Sequence, residues 1–379
     1  MMTLRGCMAL GCAAILFLLV GCGPQTTVRT KLVEPRPVLT EEGVRLEAAR
    51  TELLAYKEVI ERSPNVKSVT RITENEDPGL VLGQPVVSPT EDVLVYPQLT
   101  LKWSATQAGE GVEIHLKTQS SLYKQTIGSS AKTRITFGTR ADLDPAFSAD
   151  GKSIVFSGNR TGPLPTLWRI NLTGAGGITK LSATATEDYA PCVGPENQAI
   201  VYNCNPPGAD EPQIWVMGYN GLLPTQLREG LHPQVSPDGQ RILFTRPDRE
   251  GKRRQLWTMS IDGFEETQVT NNTAYDVLHG RWSPDGKRVA YASNEGVDAS
   301  GKRNFDIWMM DTDGTNKTQL TTNGSHDDWP CWDREGRYIY FRSNRGGMWN
   351  VWRFEPVVSS GSRAQEQAIN VGESATVGP

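Results

Sequence analysis

Along most of the chain, apolar residues come in short runs rather than helical stripes. Runs of three recur as Ile154-Val155-Phe156, Ile200-Val201-Tyr202, Ile242-Leu243-Phe244, Val289-Ala290-Tyr291 and Ile339-Tyr340-Phe341. Each is β-branched or aromatic and bounded by turn residues, which predicts a strand. An earlier run in each unit opens near a proline or glycine and carries a large apolar residue: Pro145-Ala146-Phe147, Pro191-Cys192-Val193, Pro233-Gln234-Val235, Gly280-Arg281-Trp282 and Pro330-Cys331-Trp332. A turn joins the two runs, as Ser148-Ala149-Asp150-Gly151, Ser236-Pro237-Asp238-Gly239 and Ser283-Pro284-Asp285-Gly286. A third run holds an aliphatic residue before tryptophan: Leu167-Trp168, Ile214-Trp215, Leu256-Trp257, Ile307-Trp308 and Val351-Trp352. A fourth ends in Ile135-Thr136, Leu181-Ser182, Val269-Thr270 or Leu320-Thr321. This unit of roughly 42–60 residues recurs six times, and repeats of that length built of short strands predict a β-propeller.

The expected fold is therefore all-β: a six-bladed propeller of four-stranded blades over residues 66–355, with one short N-terminal helix. The sixth repeat stops after its third strand, at Val351-Trp352-Arg353. Val69-Thr70-Arg71-Ile72-Thr73 reads as the missing fourth strand, so an N-terminal strand is expected to latch the ring. The first repeat is degenerate, with Pro85-Val86-Val87-Ser88-Pro89 and Leu94-Val95-Tyr96. In it, His115 of Ile114-His115-Leu116 is read at the tryptophan position, and Ser104 to Ser130 as an insertion. The turn residue after aspartate needs a positive φ, which Gly151, Gly239, Gly286, Gly336 and Asn197 accommodate and Glu91 does not.

Outside the repeats the pattern changes. Residues 1–21 combine Arg5 with an apolar stretch from Met8 to Val20, too short to span a bilayer stably, and read as a signal peptide. Residues 22–39 read as a tether, with Pro24, Pro35 and Pro37 and no apolar periodicity. Residues 40–63 read as an amphipathic helix, capped by Thr40, acidic at Glu41 and Glu42, striped by Leu46, Ala49, Leu53, Tyr56 and Ile60, and stopped by Ser63-Pro64. Residues 356–379 are Ser/Gly/Ala/Gln-rich and are expected to be disordered. The net charge of −4 implies no basic face for nucleic acid. Of six cysteines, Cys7 and Cys12 lie in the signal, and Cys192, Cys204 and Cys331 are expected as buried free thiols.

Two resemblances add to this reading. Leu19-Val20-Gly21-Cys22 resembles the lipobox of bacterial lipoproteins, which implies cleavage before Cys22 and its lipidation. Gly23 in place of aspartate implies, by likeness to enterobacterial sorting, an outer-membrane anchor facing the periplasm. The repeats, from Val66 to Phe354, resemble the TolB-like propeller family, whose unit runs Pro-x-aromatic-Ser-Pro-Asp-Gly-Lys, strand, aliphatic-Trp, Leu-Thr. That likeness implies a protein-binding platform in the cell envelope, with a partner such as a peptidoglycan-associated lipoprotein. Similar repeats occur in prolyl oligopeptidase-like enzymes and oligogalacturonate lyases.

Candidate chemistry gathers just before the first strand of each repeat, at one rim of the channel. These positions hold Asp142, Asp144, Asp188, His232, Asp276, His279, His326, Asp327 and Asp328. Of these, Asp142, Asp144, Asp188, His232, His279 and Asp327 are taken as the partner-binding mouth. Short polar side chains also hydrogen-bond their own loops, so the same aspartates can be structural. There is no Gly-x-Ser-x-Gly elbow, no His-Glu-x-x-His, no paired Cys-x-x-Cys and no phosphate loop. The expectation is a monomeric, non-enzymatic binding module without metal or cofactor. The alternative is a metal-assisted polysaccharide lyase or hydrolase built at the propeller mouth from His232, His279 and rim aspartates.

Overall fold

The computed structural model describes the backbone of residues 26–30 and residues 63–357, apart from positions 78, 109–110, 139, 175–176, 183–185, 249, 298–300 and 302; side chains 101–118 are not described. The expected signal peptide, Cys22, the 40–63 helix up to residue 62 and the C-terminal tail from residue 358 lie outside the described residues.

Six antiparallel sheets follow one another along the chain. Blade two is typical, with strands Asp142–Phe147, Ser153–Gly158, Thr166–Asn171 and Ile178–Lys180. Blade three runs from Glu187 to Glu229, blade four from Leu231 to Gln268 and blade five from Val277 to Gln319, each of four strands. Blade six takes Asp327–Trp332, Ile339–Ser343 and Asn350–Pro356 from the end of the repeats, and its fourth strand, Val66–Arg71, from the beginning. The latch expected from the sequence is present, in the register Thr70↔Arg353 and Arg71↔Trp352. Because strands alternate in direction, first–second and third–fourth turns emerge at one face, here the turn face. The second–third loops and the connections between blades emerge at the other, the connection face.

The buried apolar residues explain why the ring must close. They fall into six clusters, and each lies between neighbouring blades. One joins blades two and three through Val155, Leu167, Ile200 and Tyr202. Another joins blades six and one through Leu82, Leu94, Tyr96, Cys331, Tyr340 and Val351. A blade alone would leave both apolar faces in water, at about 25 cal/mol for each Å² exposed.

A buried hydroxyl fastens the third strand in five blades. Thr136, Ser182, Thr270 and Thr321 each accept, at 2.9 Å, the backbone N–H of the aliphatic residue before the tryptophan-type position: Leu122, Leu167, Leu256 and Ile307. In blade six the acceptor is Thr73, 2.9 Å from the Val351 nitrogen, so the latch supplies the side chain that this blade lacks. Thr73 also donates to Asn350 Oδ1 at 2.9 Å. The Ser-x-Asp-Gly turns are likewise self-contained. Ser148 Oγ donates to Asp150 Oδ1 and accepts the Ser153 N–H, and Ser236 repeats this with Asp238 and Arg241. Gly151 (φ 70°), Gly239 (φ 73°) and Asn197 (φ 57°) take the positive φ that the turn needs.

Blade one departs from expectation. The segment read as an insertion forms a hairpin of two 16-residue strands, Val93–Ala108 and Gly111–Thr126, longer than the strands of the other blades. Thr26–Thr30, within the stretch expected as a tether, pairs with residues 112–116 of this hairpin. The length of the hairpin corrects the placing of His115. Tyr123 pairs with Tyr96 and Arg134 as Trp168 pairs with Phe156 and Lys180, so Tyr123 holds the tryptophan position and His115 lies eight residues up the arm.

Replacing Thr73 by Val removes two buried hydrogen bonds at the closure, to Val351 and to Asn350. A loss of about 1–3 kcal/mol in urea-induced unfolding is expected. The exposed Thr70→Val control is expected to change stability by less than about 0.5 kcal/mol. Equal effects of the two would show that closure does not depend on the Thr73 hydroxyl.

Candidate functional site

The first strand of each blade lines the central channel, and in blades two to six it carries the same irregularity. Its pairing slips between Leu143 and Ala146, Tyr189 and Cys192, Leu231 and Gln234, Leu278 and Arg281, and Asp328 and Cys331. The residue in each bulge has a left-handed backbone: Asp144 (φ 49°), Ala190 (47°), His232 (52°), His279 (56°) and Trp329 (51°). Holding a non-glycine residue there costs on the order of 1–3 kcal/mol, and such strain collects at functional sites. The bulge re-aims the side chain toward the axis. The rings of blades four, five and six meet as a result. His279 stacks on Trp329 with centroids 3.6 Å apart and planes at 16°, and His232 sets its edge against both at 4.9 Å. Blades four and six are not neighbours, so a contact between His232 and Trp329 places the cluster at the axis.

The histidines are held neutral. Burial, followed by the Arg281 and Arg254 guanidiniums, pushes His232 down to about 3. Burial, followed by His232 itself, pushes His279 well below its ordinary value. The Nδ1 atoms of both rings are sealed from solvent without a hydrogen-bond partner. Asp144 lies at the same level of the channel. It accepts from the Ser157 hydroxyl at 2.8 Å and the Ala190 N–H at 3.3 Å, and burial pushes its carboxyl up despite them.

The other predicted site residues lie inside blades, next to the connection face. Asp142 is bidentate to Arg160, at 2.9 Å to Nε and 2.5 Å to Nη2. Asp327 takes Arg345 Nη2 at 2.5 Å, with both side chains fully buried. Asp188 accepts from the Thr186 hydroxyl at 3.0 Å and is fully buried. Asp328 is held between Arg342, at 2.7 Å to Nε, and His326, at 3.1 Å; burial opposes its ionisation, but these partners outweigh it and keep the carboxyl well below the usual range. Asp276 accepts from the Arg254 N–H and the Arg253 guanidinium. These acids brace the loops that enter blades two, three, five and six.

Sequence reasoning missed their partners. The signal is a polar pair closing the second strand, Asn159-Arg160 and Asn344-Arg345. The asparagines accept the N–H groups of Ala141 and His326 at 2.9 and 2.8 Å, and Asn294 accepts that of Asp276 at 2.8 Å. Among the described residues, no group of three or more His, Cys, Asp or Glu is placed to hold a metal ion. Cys192, Cys204 and Cys331 are free thiols.

Residues 108–275 match the family model of the TolB beta propeller domain. The chain carries a TolB-like six-bladed propeller. Over 92 residues it is 39% identical to an uncharacterized protein of Agrobacterium fabrum; the match covers 24% of this chain and spans only 28% of that relative. The TolB of Acinetobacter baumannii superposes with a TM-score of 0.50 at 16% identity, over 74% of this chain and 64% of that one. An oligogalacturonate lyase of Vibrio parahaemolyticus does so with 0.52 at 13% identity, over 79% and 96%. At these identities the likeness to solved structures is one of fold, and fold alone does not fix function. Among the described residues, no helix of the TolB-like chain is long and apolar enough to cross a membrane.

Two outcomes follow for the propeller. Asp327→Asn takes the carboxylate charge out of the fully buried Asp327–Arg345 pair, and a loss of about 3–5 kcal/mol is expected by urea unfolding. A loss below 1 kcal/mol would show that the pair contributes no more than a surface bridge. The depressed histidines bind protons more readily when unfolded, so their contribution is complete above pH 6.5 and falls with acidification, for His232 toward about pH 3. Unfolding free energies at pH 7 and pH 5 are expected to differ less in His232→Gln/His279→Gln than in the parent, by about 1–2 kcal/mol per histidine. An unchanged difference would mean that neither ring is held neutral.

Proposed function

We propose that the chain is a lipid-anchored, non-enzymatic docking platform of the bacterial cell envelope, fixed through Cys22 to the outer membrane with its propeller in the periplasm. The observation that carries the docking reading is the pairing of the rim acids. Asp142 and Asp327 are closed on Arg160 and Arg345, and Asp328 on Arg342 and His326. Carboxylates engaged in this way hold loops rigid instead of exchanging protons with a substrate. A rigid ring that presents loops is the arrangement binding proteins use. Asp144, His232 and His279 at the axis, with Asp142, Asp188 and Asp327 bracing the surrounding loops, would shape the mouth that meets the partner. Exposed apolar side chains add grip at both faces. Phe137 stands on the connection between blades one and two, and Leu223 and Phe264 on the third–fourth turns of blades three and four. The partner is an envelope protein such as a peptidoglycan-associated lipoprotein. The platform acts as a monomer, without cofactor and without nucleic acid. Each acyl chain on Cys22 would contribute about 0.8 kcal/mol per buried CH₂, and two or more chains anchor stably.

The second reading is a metal-assisted lyase or hydrolase. It rests on the neutral His232–His279 pair and the fold likeness to an oligogalacturonate lyase. Two histidines are one short of the three protein ligands that a catalytic zinc site supplies.

Photo-crosslinkers placed at Phe137, Leu223 and Phe264 in intact cells, with exposed Lys152 as the control, test the docking reading. One defined envelope-protein adduct is expected from one face, with none from Lys152, and Cys22→Ser is expected to release the chain from the membrane fraction. No defined adduct at any position, together with divalent-metal-dependent cleavage of an oligosaccharide that His232→Gln abolishes, would replace docking with the enzyme reading.

A further inference from the structure

Arg281 lies two residues beyond His279 on the first strand of blade five, toward the turn face. It borders a pocket of about 190 Å³ walled by Val193, Pro195, Val235, Pro237 and Trp282, with Gln234 beside it. Three other arginines of the blades are closed on acids, Arg160 on Asp142, Arg342 on Asp328 and Arg345 on Asp327, whereas Arg254, near His232, has like Arg281 an Nη1 sealed without an acceptor. The Arg281 guanidinium makes no hydrogen bond or ion pair among the described residues, and its Nη1 is sealed from solvent without an acceptor. The groups facing it from other blades are the Cys192 and Cys331 thiols and Asp144. The thiols bring no negative charge, since burial raises Cys192 and pushes Cys331 up to about 12. The Asp144 carboxyl is taken by Ser157 and Ala190.

A guanidinium keeps its proton in a protein. Half-buried, with its Nη1 sealed and no carboxylate among the described residues hydrogen-bonded to it, Arg281 has a poorly compensated charge, since Asp144 faces it without bonding it. We propose that the pocket at the turn face is a binding site for a carboxylate, which the Arg281 fork receives in bidentate fashion. Arg281 is the one cation among the residues that line the pocket, so it balances a single negative charge and not a phosphate dianion. The valine, proline and tryptophan walls suit the apolar or planar stem that carries the acid. A small organic acid and the C-terminus of a peptide share this chemistry. The site goes beyond the docking reading and does not rest on it, because binding a free carboxylate needs no protein partner.

The full chain is titrated with acetate, benzoate and acetyl-leucine, against chloride at equal ionic strength and against acetyl-leucine amide. The readouts are thermal midpoint and the fluorescence of Trp282, isolated by comparison with Trp282→Phe. A saturable response to the carboxylates is expected, absent with chloride and with the amide. Tighter binding of acetyl-leucine than of benzoate would mark a chain terminus as the natural ligand, and the reverse order a small acid. In Arg281→Met the response is expected to vanish, while the midpoint without carboxylate equals or exceeds that of the parent. Arg281→Lys keeps the charge without the fork and is expected to weaken binding by about tenfold, which preserves the test if the methionine variant fails to fold. A carboxylate response no larger than that to chloride, or one that survives in either variant at full affinity, would overturn the proposal.

Discussion

Everything in this molecule depends on closing the ring between blades six and one. Each sheet is apolar on both faces, and its neighbours provide the only cover. The cluster of Leu82, Leu94, Tyr96, Cys331, Tyr340 and Val351 is therefore not a local seam but the sixth member of a set. Without it, two blades would present apolar faces to water, and the strand edge of blade six would stand unpaired. The chain solves this by taking the fourth strand of blade six from the N-terminal side. Thr73 makes to Val351 the hydrogen bond that Thr136, Ser182, Thr270 and Thr321 make in their own blades. The latch is thus a full structural equivalent of the missing strand, down to the side-chain acceptor.

Closure also creates the channel chemistry. His232, His279 and Trp329 come from three blades and are separated by 97 positions from first to last, yet their rings are in contact. Two features produce this: the ring brings the first strands around one axis, and the bulge turns one residue per strand inward at the cost of a left-handed backbone. The same packing desolvates the histidines and holds them neutral. Stability, strain and the electrostatics of the axis are consequences of one geometry.

The repeat was legible because its marks are local. A turn that needs positive φ, a β-branched run and a hydroxyl after an aliphatic residue can each be read within a few positions, and six registers reinforce one another. What could not be read is what depends on register over longer distances. His115 was placed by counting, and a hairpin of 16-residue strands moves the tryptophan position to Tyr123. The rim aspartates were legible as a group, but not their direction. Asp142 and Asp327 turn into their blades because Arg160 and Arg345 wait at the ends of second strands, and a pair formed across 18 residues leaves only a recurrent Asn-Arg as its trace. Arg281 carries no motif at all; its isolation exists only once the blades surround it.

The first strand of each blade therefore divides its labour by position. Residues facing the neighbouring blades are held apolar by packing, and the residue at the strand's entry is held by its arginine or asparagine bracket. The bulged residue and the one two places beyond it lie between these positions, although Cys331 and Cys192 also pack in the clusters between blades. At the bulge stand Asp144, Ala190, His232, His279 and Trp329, and two residues on stand Ala146, Cys192, Gln234, Arg281 and Cys331. No two blades repeat the same combination, although the turns and the hydroxyl clasps around them repeat closely. In blades two to six the chemistry of these two levels changes from blade to blade while the bulge that presents it does not, so a site there is grafted on a repeated frame. The axis from the His279–Trp329 stack to the Arg281 pocket is accordingly where these five repeats differ in chemistry on a common backbone.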